Sequence, residues 1–309
     1  MRRLRGLTAL GIAAMALSAC SEPASGAGNN LPTLTLAPSI RKIVAAENVW
    51  GDIAKQIAGD QVEVNSIITD PNTDPHTYEL SPATAATIAN ANLVIANGAG
   101  YDDFVSKLLA GAGNRLRTVI TIANVVGATT GDANPHLWYQ PEYVVQAATA
   151  IQAQLAAKDP SGASRVRANL RRFVTTYQDD VLSLIKEIKQ NYSETRIAYT
   201  ERVAGYLVKA AGLQLGTPAS FAQAIEDGSD PSPSDIAQFQ AALQRHTVKA
   251  MLYNSQVISP VTQRLREIAA RNGVPVIGVT ETLPPRENFQ AWQANQLHAL
   301  LNALGDHGG

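Results

Sequence analysis

A single helical pattern near the middle of the chain restricts the fold more than any other stretch. From about Ser161 to Asn191, apolar residues recur at three- and four-residue spacing: Val166, Leu170, Phe173, Tyr177, Val181, Leu184 and Ile188. No proline or glycine follows Gly162 within it. At 1.5 Å per residue this predicts a rod of roughly 45 Å, far beyond the ~11-residue mean helix. It reads as a spine joining two halves; a coiled-coil dimer is the other arrangement such a stripe permits.

Each half alternates short strands with helices. Residues 40–46, 62–68, 92–97 and 117–123 read as strands, and 47–58, 82–91, 101–110 and 141–158 as helices; 124–134 reads as loop. After the spine the pattern restarts. Ile197, Glu201, Val203, Gly205 and Lys209 repeat Ile43, Glu47, Val49, Gly51 and Lys55 at the same spacing. The strand expected over 249–254 mirrors 92–97, another is expected at 273–279, and a helix over 288–304 closes the chain. Such alternation is the mark of a parallel sheet covered on both faces. The expected fold is α/β: two similar lobes with parallel β-sheets covered by helices, joined by one long spine helix. The N-terminal lobe takes residues 39–158, the linking helix 159–192 and the C-terminal lobe 193–309.

The first residues stand apart from this. Arg2, Arg3 and Arg5 precede an apolar run, 7–17, too short to be a permanent membrane span. Leu17-Ser-Ala-Cys20 looks like a bacterial lipobox. Residues 1–19 are then a signal peptide, Cys20 carries lipid, and the small, polar, Pro/Gly-punctuated segment to residue 38 is a flexible tether. Cys20 is the only cysteine, which excludes a disulfide or thiolate metal site. Removal of 1–19 takes away three arginines and no acid, so the net charge falls from −1 to −4. No basic stripe with interleaved aromatics occurs, which argues against nucleic acid as a partner.

Four side chains fall at strand ends that face the expected cleft: His76 and His136 from the first lobe, Glu201 and Glu281 from the second. His76 lies in a loop after the second strand, and both histidines follow a proline that fixes the backbone. Two imidazoles and two carboxylates suit a divalent transition metal. Taken singly, Glu201 also suits a helix start, and Glu281 a helix cap or the surface. His246, His298 and His307 read as peripheral. Trp50, Trp138 and Trp292 read as packing residues, with Trp138 near enough to His136 to wall the site.

Asp74-Pro-His-Thr-Tyr-Glu79 and Asn134-Pro-His-Leu-Trp138 resemble the two histidine motifs of the zinc/manganese-binding lipoproteins that serve bacterial ABC transporters. Asp230-Pro-Ser-Pro-Ser-Asp235 resembles that family's Glu-Pro-Ser segment. The resemblance covers the chain after Cys20. It implies that His76, His136, Glu201 and Glu281 ligate one metal ion, with Glu281 standing where the family has Asp. No His-rich loop precedes His136, unlike many zinc members. The implied protein is a lipid-anchored, extracytoplasmic monomer, not an enzyme, which hands manganese or zinc, less readily ferrous iron, to an ABC permease. Carboxylate in place of imidazole leans toward manganese or iron, while the Irving–Williams order favours zinc. The other readings are a metal-dependent hydrolase on the same cluster, a surface adhesin with a structural metal, and a binder of a siderophore complex. There is no His-Glu-x-x-His and no nucleophile elbow to support hydrolysis.

Overall fold

A computed structural model of the chain describes residues 39–70, 78, 81–114, 116–129 and 133–305. The described residues from 39 onward belong to one compact unit. Cys20, His76 and His307 lie outside the described residues.

Eight strands form two four-stranded sheets, each parallel throughout. In the first, β1 (Lys42–Glu47), β2 (Glu63–Ile68), β3 (Leu93–Ala96) and β4 (Thr118–Thr121) lie in the order β2-β1-β3-β4. In the second, β5 (Arg196–Tyr199), β6 (Gln214–Leu215), β7 (Met251–Asn254) and β8 (Val276–Val279) repeat that order as β6-β5-β7-β8. The central strands are near-continuous apolar runs, as expected where helices cover both faces; every residue of β3 and β7 is buried. In both sheets the order turns about the first strand, so loops after β1 and β3, and after β5 and β7, open at one edge of each sheet, where ligands bind in α/β folds.

The helices follow their sequence signals. Helix 48–58 ends at Gly59, whose φ of 73° favours glycine. Helix 141–158 starts with Pro141 in its first turn. Asp230 to Asp235 is mainly helix-start chemistry: the Ser232 hydroxyl accepts the Asp235 N–H at 3.1 Å, and Pro233 opens the helix.

Three details differ from the expectation. The fourth strand stops at Thr121 and runs into a short helix, Ile122–Val126, because the apolar run 119–123 fits either form. The two-residue strand β6 is too short to leave a periodic signal. The spine is continuous from Ala163 to Tyr192 but contains one π-turn, Gln178–Leu182. Its buried residues Phe173, Tyr177, Val181 and Ile185 step by four. In an α-helix each such step overshoots a turn by about 40°; the wider turn takes up that drift and keeps the stripe on one face.

The largest core runs through both halves. Rings pack in a chain from the spine inward: Phe173 stacks on Tyr177 at 6.1 Å, Tyr177 meets Phe289 at 5.9 Å, Phe289 meets Trp292 at 5.9 Å, and Trp292 meets Tyr139 at 5.5 Å. Polar clasps accompany it. Asn48 exchanges two hydrogen bonds of 2.8 Å with the backbone of Leu283, and the Gln56 and Gln290 amides pair at 2.8 and 3.0 Å. Among the described residues, no helix is long and apolar enough to cross a membrane.

Candidate metal centre

His136 leaves β4 and the short helix after it on a tight, fully buried turn, Leu137–Tyr139. Asn134 fixes its ring. The Asn134 Oδ1 accepts the His136 backbone N–H at 3.1 Å and the ring Nδ1–H at 2.7 Å. The Asn134 Nδ2 donates to the Arg202 carbonyl at 2.7 Å, which sets the amide's orientation. Nδ1 is therefore a donor, which leaves Nε2 as the ring nitrogen that a metal would take. Rings hold the imidazole edgewise: Trp138 at 5.6 Å and Tyr101 at 5.7 Å.

The Nε2 atom points at Glu281 Oε2, 3.3 Å away, with both side chains fully buried. Glu281 stands beyond β8 in a segment pinned on several sides. The Gln256 side-chain oxygen accepts the backbone N–H of both Glu281 and Thr282, and Trp292 Nε1–H donates to Thr280 Oγ1 at 2.9 Å. Its Oε2 also accepts the Tyr101 hydroxyl at 2.8 Å.

Glu201 follows β5 in a loop, not at a helix start; the next helix begins at Gly205. Gly205 matters sterically, since a Cβ there would meet Asn134 Nδ2 at 3.1 Å. Arg202 holds this loop with a two-pronged bond to Glu226, 2.9 and 2.7 Å. The bridge between the two acids is Asn254, the last residue of β7. Its Nδ2 donates to Glu201 Oε2 at 2.9 Å and to Glu281 Oε1 at 2.8 Å.

The structure thus brings His136 directly to Glu281, and Glu201 to Glu281 through Asn254. Among the described residues these side chains do not by themselves close a three-ligand cluster; the fourth candidate, His76, lies outside them. His246 and His298 are exposed, and Trp50, Trp138 and Trp292 are buried packing residues. Sequence reasoning missed Asn254, Tyr101 and Asn134 as site residues. A signal existed for Asn254: it closes its strand, and Asn97 directly follows the matching strand in the first sheet.

A second acidic pair lies beneath the first sheet's loops. Glu47 is fully buried at the end of β1. Burial, then the charge of Asp102, hold its carboxyl well above the usual range. Burial also pushes Asp102 up to about 6, although it accepts the N–H groups of Asn97 at 2.6 Å and Gly98 at 2.7 Å. Asn97 in turn donates to the Pro135 carbonyl at 2.9 Å, next to His136.

The chain resembles known proteins over most of its length. The family described as zinc-uptake complex component A, periplasmic, matches residues 43–303. The metal ABC transporter substrate-binding lipoprotein FimA of Streptococcus parasanguinis is 26% identical over 296 residues, spanning 89% of this chain and 88% of that one. The manganese ABC transporter substrate-binding lipoprotein PsaA of Streptococcus mitis is 26% identical, with 83% of each chain covered. In fold, the chain resembles an Mn-bound periplasmic metal binding protein from Candidatus Liberibacter asiaticus. The TM-score is 0.69 at 21% identity, covering 85% of this chain and 99% of that one.

Proposed function

Because the chain belongs to the family of zinc-uptake complex component A, we propose that it captures one divalent transition metal, manganese or zinc, outside the cytoplasm and delivers it to an ABC permease. The relatives' names carry the transport role and manganese. The observation that carries the site is the meeting of His136 Nε2 with Glu281 Oε2 from the other half at 3.3 Å, with Glu201 tied to the same carboxylate.

On this reading His76, His136, Glu201 and Glu281 are the four ligands. The metal is cargo: it would lie between His136 and Glu281, where its charge offsets two buried carboxylates. Capture is pH-dependent, since the imidazole must be neutral and the acids ionised. Four protein ligands leave no open position for an activated water, so no turnover is expected. The lobe limits 39–158 and 193–309 and the Cys20 lipid anchor belong to the same proposal.

The test is metal counting on the soluble domain from residue 21 after dialysis against zinc or manganese. One ion per chain, lost when His76 or His136 becomes alanine, supports the reading; no retained metal refutes it.

A further inference from the structure

We propose that the groove between helix 141–158, the second part of the spine and helix 205–210 binds a small organic anion with an aromatic body, at a site separate from the candidate metal centre. The groove has a volume of about 840 Å³, within the roughly 300–1,000 Å³ of small-molecule sites. All three elements line it, and His136, Glu201 and Glu281 do not. Its floor is apolar. Leu182, Ile185, Lys186 and Lys189 are spaced i, i+3, i+4 and i+7, so they share one face of the spine. The π-turn Gln178–Leu182 ends where this face begins, and turns of that kind are frequent at functional sites. Val145 faces Leu182 and Ile185 across the groove. Tyr143 and Tyr206 meet edge to face at 5.7 Å and add an aromatic wall. The Tyr206 hydroxyl donates to the Asn134 carbonyl at 3.1 Å, which fixes that ring in place.

The rim is basic. Lys186, Lys189 and Lys209 stand exposed around the apolar floor. Among the described residues, no ion pair ties any of the three to an acid. Glu142 is the one acid among the described lining residues, and its carboxylate accepts the Gln140 amide. Three lysines against one glutamate, on a chain of net charge −1, favour an anion and disfavour a cation. Lys186 and Lys189 lie one turn apart, where like charges repel; a bound anion relieves that repulsion. A wholly polar anion would leave the floor and the tyrosine edges in water. An aromatic body covers both, and the ammonium groups hold its charged end.

The test uses the soluble domain from residue 21 and two fluorescent probes with the same ring system. One is the anion 8-anilinonaphthalene-1-sulfonate; the other is its uncharged counterpart, N-phenyl-1-naphthylamine. Wild type should bind one equivalent of the sulfonate, displaced by 1-naphthoate and not by the same concentration of inorganic phosphate. The uncharged probe should bind at least tenfold more weakly. Lys186→Gln/Lys189→Gln/Lys209→Gln should weaken the sulfonate at least tenfold and leave the uncharged probe unchanged. The matched control Lys55→Gln/Lys107→Gln/Lys249→Gln removes three exposed lysines that do not line the groove and should bind as wild type does. No saturable binding by wild type, or equal weakening in both triple variants, would overturn the proposal. Displacement by phosphate as readily as by naphthoate would overturn it too, since the aromatic body would then contribute nothing. Binding only to phosphatidylglycerol vesicles would assign the lysines to a membrane surface and would also overturn it. Metal counting is a separate readout, so neither reading depends on the other.

Discussion

Glu47 closes the first strand of its sheet and Glu201 follows the first strand of the other, 154 residues apart in a repeated pattern, yet they meet opposite environments. Glu47 is fully buried against another acid, Asp102, and its carboxyl is held well above the usual range. Glu201 receives an amide donor from Asn254, which also holds Glu281, and that acid faces an imidazole. One topology thus carries a carboxyl whose pKa is pushed well up by burial and a neighbouring acid, and a carboxyl that receives an amide donor. The neighbour decides which: an acid beside Glu47, an amide beside Glu201. A strand-end position makes a ligand site possible, and the polar groups around it determine whether a charge can be kept there.

Three changes would break or sharpen this contrast. The largest effect is expected from His136→Ala, which removes a proposed ligand, the imidazole that faces Glu281; metal affinity measured by competition with a chelator should fall by more than the roughly 10–100-fold typical of outer residues. Next is Asn134→Ala. It leaves the proposed ligand in place but frees the imidazole tautomer and unties the loop from Arg202. Affinity should fall roughly 10–100-fold, with the far-UV spectrum unchanged.

The smallest effect, opposite in sign, is expected from Glu47→Gln. The folded-state values of both Glu47 and Asp102 are raised, so the folded chain binds more protons than the unfolded one. Their contribution to stability is fully present at low pH. For Asp102 it is lost as pH rises from about 4 through about 6, and Glu47 extends the loss to higher pH. An isosteric amide at 47 removes one of the two costs. Thermal unfolding should show a gain of about 1–2 kcal/mol at pH 7 and a flatter fall of Tm with rising pH. A lower Tm at every pH would mean that Glu47 is an ionised partner and the contrast is false.

Much of this architecture was legible in the sequence because parallel strands buried on both faces must be apolar throughout, and helices must show a stripe. The runs at 42–47, 93–96 and 251–254, the helix 141–158 and the spine all follow from that rule. Val119 to Ala123 was ambiguous because an apolar run of that length serves a strand or a buried helical turn equally well, and the chain uses both. The charged and imidazole candidates were legible because few side chains bind metal. Asn254, Asn134 and Tyr101 were not, since neutral polar residues carry no ligand signature. Their roles come from lying within about 3 Å of atoms distant in sequence: Tyr101 bonds Glu281, 180 residues away.

The central claim is that the second sheet's acid serves metal and the first sheet's does not. The most direct measurement is zinc affinity of Glu201→Gln and Glu47→Gln side by side, by calorimetry on the soluble domain at pH 7. The account expects Glu47→Gln to bind one ion with wild-type affinity and Glu201→Gln to lose at least a hundredfold. Wild-type binding by Glu201→Gln, or loss of binding in Glu47→Gln, would contradict it.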